Sequence, residues 1–148
     1  YRQEIEAALR RYVAALDEHD WHMSFLRLWG LLEFLTATIK KESKVTIRRA
    51  TFLYAADAEY AELRLKALGD YRNRNVHGAF ETEEIEDYLF ILKQHVERLI
   101  EFHLASEIKF DSIEDASEFF DLPRDAVRLD RRLKHLKHWK RILSRIGT

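Results

Sequence analysis

Apolar residues recur along this chain at helical spacing almost from its first position. Ile5, Ala8, Leu9, Tyr12, Val13 and Leu16 fall three and four apart and predict an amphipathic helix over about 2–18. Asp20 is the predicted N-cap of a second helix, over about 21–40. That helix is apolar nearly all round, with Phe25, Leu26, Leu28, Trp29, Leu31, Leu32, Phe34, Leu35 and Ile39, which places it at the centre of a bundle. Gly30 within it is expected to admit a close neighbour. Lys40 to Lys44 reads as a loop, and Thr46 as the cap of a short helix running through Phe52 and Tyr54. Asp57 is expected to cap the next helix, which carries Tyr60, Leu63, Leu65, Ala67 and Leu68. Gly69 then reads as a C-cap and Asp70 as a fresh N-cap, so residues 71–77 are expected to open a new helical turn that Gly78 ends. Thr82, Glu83 and Glu84 precede a long helix whose stripe runs through Ile85, Tyr88, Leu89, Leu92, Val96, Leu99, Ile100 and His103 to about Ala105. Asp111 or Ser112 starts a short helix with Ile113, Phe119 and Phe120, which Leu122 and Pro123 break. Leu129, Leu133, Leu136, Trp139, Leu143 and Ile146 mark the last. No strand pattern of any length occurs, and the fold class predicted is an all-α bundle with one core.

Composition narrows the picture further. The 148 residues suit one domain, and 47% hydrophobic content is enough for a core. Only four glycines and one proline punctuate the chain, as long helices with short connections require. No cysteine is present, which excludes disulfides, thiolate metal sites and cysteine nucleophiles and fits a cytoplasmic location. No window approaches the roughly 18 apolar residues of a membrane span. The chain opens on Tyr1 and enters its first helical pattern at once, so residues 1–148 are expected to be one domain excised from a longer protein with additional domains.

A net charge of −1 hides an uneven distribution. From Arg124 to Arg145 nine basic residues face only Asp125 and Asp130. Just before them Asp111, Glu114, Asp115, Glu118 and Asp121 stand with no basic residue between. The two segments read as mutual partners or as solvated faces; the functional alternative is a stripe that attracts RNA.

The chemistry concentrates at Tyr71, Arg72, Asn73, Arg74, Asn75, Val76, His77 and Gly78. A histidine moves protons near neutral pH, and an arginine holds the charge that builds on a phosphorus centre. Asn73 and His77 are four apart and share a helix face, while Arg72 reaches out beside them. A new helix N-terminus at this point would also favour phosphate. Against that stands the plain reading, in which Arg72 pairs with an acid and His77 is a helix-terminal residue.

The Arg-polar-x-x-x-His spacing at Arg72, Asn73 and His77 resembles the motif of the HEPN superfamily of ribonucleases. Leu28-Trp29-Gly30-Leu31-Leu32-Glu33-Phe34-Leu35 resembles a helix of its ApeA-like branch. The acidic segment, Leu122-Pro123 and the basic Leu-rich tail are similar to the end of that branch. The resemblance covers most of the chain from Trp21 onward, and only residues 72–77 are sharply functional. It implies a HEPN-type helical bundle, a homodimer, and a composite site built from Arg72 and His77 of both copies. His77 would move protons at the ribose 2′-OH and the 5′-oxygen, Arg72 would stabilise the phosphorus centre, and Asn73 and Arg74 would orient His77 or bind phosphate. The implied products are 2′,3′-cyclic phosphate and 5′-hydroxyl ends, with RNA as substrate, no cofactor and no metal. The implied setting is the effector of an antiphage defence or toxin system. The alternative is a catalytically inactive helical module for dimerisation or RNA binding; a nucleotide-binding regulatory bundle is a third reading.

Glu33 is the other polar residue that matters, because its helix is too apolar to leave a carboxylate unpaired at low cost. It is expected either to accept from a core Tyr or Trp or pair with a structural Arg, or to anchor Arg72 or His77 from behind. His19 with His22, and His135 with His138, have a spacing that two metal ligands can use, but neither pair has a third-ligand pattern, and no metal residues are assigned. His95 and His103 receive no role.

Overall fold

A computed structural model describes residues 1–54, 57–77 and 83–146, with the side chains of 75–77 outside the description. The described residues form seven helices and no strands. These are α1 (Arg2–Leu16), α2 (Trp21–Leu35), α3 (Ser43–Ala50), α4 (Ala58–His77), α5 (Ile85–Ala105), α6 (Ile113–Phe119) and α7 (Ala126–Ile146). The all-α bundle expected from the periodicity is therefore present. None of these helices is long and apolar enough to cross a membrane.

The most apolar helix, α2, lies in the middle. It packs against α5 and α1, while α3 packs on α4. Phe25, Leu28, Trp29, Leu32 and Leu35 of α2 meet Leu92, Val96 and Leu99 of α5 in a core completed by Leu65, Leu68 and Tyr71 of α4. A second aromatic cluster joins Phe52, Phe102, Phe110, Phe119 and Phe120 and seats α6 at one end. Asp20 caps α2 as its sequence position indicates: its Oδ1 accepts from the backbone N–H of His22 and of Met23. Ser112 does the same for α6 through Asp115.

Three expectations are corrected. First, α2 stops at Leu35 instead of running to about 40. Ala37 and Lys40 have positive φ of 50° and 70°, and Ile39 is exposed. Hydroxyls make the alternative bonds that end the helix: Thr36 Oγ1 donates to Leu32 O, and the Thr36, Thr38 and Thr46 hydroxyls form a buried chain. Thr46 thus lies inside α3, which starts at Ser43, and does not cap it. The terminal carbonyls of α2 are taken by side chains from two other helices. Arg49 donates to Thr36 O and Ala37 O, and His103 Nε2–H donates to Leu35 O, with Tyr1 O–H donating to His103 Nδ1. The same buried Arg49 grips Asp121 through Nε and Nη2, at 3.1 and 2.6 Å.

Second, Gly69 and Asp70 do not break the chain; α4 is continuous through them. A Cβ at Gly69 would lie 3.2 Å from Trp29 Cη2, so the missing side chain serves the approach of α4 to α2, not a turn. Gly30, expected to have that role, is exposed, and a Cβ there would meet nothing within 4 Å. Third, the last helix forms where predicted but stays out of the core: no residue of α7 is buried. Its basic residues are a solvated face, one of the two readings given for the charged segments, and Arg132 Nη1 donates to Asp121 O of the acidic one. The Asp121 carboxylate pairs with Arg48 and Arg49, which hold it below the usual carboxylate range.

His95 is buried beside Tyr54, and its Nδ1 has no hydrogen-bond partner among the described residues. Burial, with Arg64 and Arg98 nearby, lowers its pKa from 6.5 to about 4. The folded state therefore resists the proton that an unfolded His95 takes up readily. The stabilisation is complete above pH ~6.5 and is lost as pH falls toward the folded value of about 4. It amounts to about 3 kcal/mol over that window. Urea titrations at pH 7.5, 5.5 and 4.5 are expected to show falling stability, with a shallower fall for His95→Gln. Equal slopes for the two proteins would assign the acid sensitivity elsewhere.

Candidate functional site

The motif residues lie on the last two turns of α4, not at the start of a new helix. The helix N-terminus expected to help bind phosphate is therefore absent from this place. Position 77 is the last of α4, so positions 73 and 77 are one turn apart on a single regular helix. The side chain of His77, the expected proton carrier, lies outside the described residues.

Tyr71 fixes this end of α4 in the core. It is 4% exposed, its hydroxyl is 2.6 Å from His22 Nδ1, and its ring meets Phe25 and Tyr88 edge-on. Neither His22 nor Tyr71 was assigned this part from sequence. The available signal was Tyr71 at three residues beyond Leu68, on the buried stripe of α4. One residue on, the chain turns outward: Arg72 is about one-third exposed at 34%.

Arg72 and Glu33 come together. Arg72 Nη2 lies 3.9 Å from Glu33 Oε1, and Trp29 Nε1–H donates to the same oxygen at 2.9 Å. Glu33 thus accepts from a core Trp, the first of the expectations for it, and lies beside Arg72. Trp29 and Glu33 are one turn apart on α2, and the fully packed indole fixes where the carboxylate points. Arg72 Nη1 also donates to Asn73 Oδ1 at 3.3 Å. Arg74 goes elsewhere: its Nε donates back to Asp70 O at 3.4 Å, and its guanidinium is exposed. The guanidinium of Arg72 is therefore oriented from the α2 side while one-third of the side chain remains open to water.

Asn73 borders a groove of about 380 Å³ between α3 and α4, with Lys44, Lys66, Glu62 and Asp70 on its walls and Gly69 on its floor. Among the described residues, no group of three or more His, Asp or Glu is placed to hold a metal ion. Of the histidine pairs weighed as ligands, His22 is bonded to Tyr71, and His135 and His138 lie on the exposed α7.

Removing the Glu33 carboxylate leaves the buried indole N–H without its acceptor. Glu33→Ala is expected to cost about 1–3 kcal/mol in denaturant unfolding, whereas Glu33→Gln, which keeps an amide oxygen for Trp29, should cost less. Equal stability of wild type and Glu33→Ala would show that the indole bond contributes nothing net.

The chain matches no protein-family model, no curated protein and no solved structure.

Proposed function

We propose that this domain is a metal-independent endoribonuclease of HEPN type that acts as a homodimer on RNA. The observation that supports the reading best is the setting of Arg72. It is braced by Glu33, which Trp29 holds in turn, stands next to Asn73 and remains partly open to solvent. It shares the last turns of α4 with position 77.

In this reading the substrate supplies the nucleophile. The 2′-oxygen attacks the adjacent phosphorus while one His77 takes the 2′-OH proton. The bond from phosphorus to the 5′-oxygen breaks, and the His77 of the second copy protonates that leaving oxygen. Arg72 stabilises the negative charge on the non-bridging oxygens, and Asn73 orients His77 or contacts phosphate. DNA lacks the 2′-OH and is spared. A cytoplasmic effector of antiphage defence or of a toxin system is the role proposed for such an activity.

One observation favours the second reading, a catalytically inactive module for dimerisation or RNA binding: the uncovered apolar stripe of α7 suits an interaction surface. Labelled RNA incubated with purified protein separates the two. Cleavage is expected to persist in excess EDTA, to spare DNA, and to fail where the cut site carries a 2′-O-methyl group. Cleavage that EDTA stops and magnesium restores would overturn the mechanism, and no cleavage of any RNA would leave the binding module.

A further inference from the structure

Helix α7 has no buried residue, and it exposes seven large apolar side chains, Val127, Leu129, Leu133, Leu136, Trp139, Leu143 and Ile146, each by 41–73%. At about 100° per residue, six of these, all except Val127, fall in a sector about 140° wide. That is the stripe of a helix whose partner is missing. The start of α7 is tied to the body of the chain. Arg124 Nη2 donates to Thr51 Oγ1, Arg132 Nη1 donates to Asp121 O, and Asp121 is clamped by Arg49.

Charge decides what covers the stripe. Residues 124–146 carry nine basic and two acidic groups, a net of +7, and the rest of the chain carries sixteen basic and twenty-four acidic groups, a net of −8. Lys140 lies inside the apolar sector itself, so a covering surface must present carboxylates among apolar groups. Pairing of α7 with another α7 would set two strongly basic helices side by side and is opposed. The body of the protein offers the complementary surface. On the outer side of α4 and α5, Tyr60, Leu63 and Phe90 are exposed at 59–66%. Glu59 and Glu62 are exposed beside Tyr60 and Leu63 on α4, with Lys66 one turn on, and Glu86 and Asp87 are exposed about one turn before Phe90 on α5. Arg64 Nη2, 3.4 Å from Gln94 Oε1, spans the two helices there.

We infer that α7 is a clasp: it docks on the outer face of the α4–α5 hairpin of a second copy of this chain, and the second copy's α7 returns the contact. The exchange buries both stripes and matches the basic arm to the acidic body. It stands whether or not the domain cuts RNA.

Two full-length variants test it. Leu136→Glu with Leu143→Glu spoils the arm, and Leu63→Lys with Phe90→Lys spoils the receiving face. All four positions are at least half exposed, so both variants are expected to keep the helicity of the wild type. In sedimentation equilibrium without RNA, the wild type is expected to dimerise at tens of micromolar. Each variant is expected to raise the dissociation constant by at least roughly tenfold. An equimolar mixture of the two variants is expected to recover dimer, because one intact arm then meets one intact face. A monomeric wild type, a dimer that either variant leaves unchanged, or a mixture that recovers nothing would overturn the clasp. So would arm variants that weaken RNA binding while the dimer persists, since α7 would then be an RNA-binding stripe.

Discussion

Arg49→Ala is expected to lower the unfolding free energy by about 3–5 kcal/mol, the largest loss from any single polar side chain described above. Two things fail together. The carbonyls of Thr36 and Ala37 at the end of α2 lose their donor, and Asp121 loses a two-pronged partner, keeping only the more exposed Arg48. Arg49→Lys should recover little, because one ammonium cannot reach the α2 terminus and both Asp121 oxygens at once. Arg49 is 6% exposed, so water does not replace what is lost. Urea unfolding at pH 7 reads the effect; a loss below about 1 kcal/mol would place this cluster among ordinary surface pairs.

Arg72→Ala is expected to leave stability nearly unchanged and to reduce RNA cleavage by a factor of about 10²–10³ or more. Its ion pair with Glu33 is long, at 3.9 Å, and the Trp29 bond to the same carboxylate survives its removal. A lysine at 72 should not restore the rate, because a point charge does not reproduce the planar fork that meets two phosphate oxygens. His77→Ala is expected to be as damaging. Two titrating histidines across the dimer, one basic and one protonated, would also give the wild type a bell-shaped pH–rate profile.

Hydrophobic spacing made the helices legible, because each buried stripe repeats at the helical period whatever it packs against. It made Glu33 legible too: a carboxylate on an almost wholly apolar helix has to find a partner, and Trp29 one turn away is one such partner. Its second partner, Arg72, lies 39 positions further on, a match that spacing can suggest but not decide. Arg49 and Asp121 are 72 positions apart, and nothing local to either announces the other. The end of α2 is hidden from sequence because apolar Ile39 continues the stripe, while what stops the helix is a set of threonine hydroxyls and a guanidinium from α3. Gly69 reads as a break because glycine is conformationally free; what it supplies is room for Trp29. His95 could have been found: it lies three residues beyond Leu92 and one before Val96, on the buried face of α5. The α7 stripe was read correctly as helical, but periodicity says that a face is apolar and not what covers it.

If Arg72 and His77 together cut RNA through its own 2′-hydroxyl, the ends of the cut strand record it. A labelled RNA is incubated with wild type, Arg72→Ala and His77→Ala in EDTA and its ends are mapped. The wild type is expected to leave 2′,3′-cyclic phosphate and 5′-hydroxyl ends and neither variant any, with all three proteins equally folded. Ends bearing 3′-hydroxyl, or undiminished cleavage by either folded variant, would contradict it.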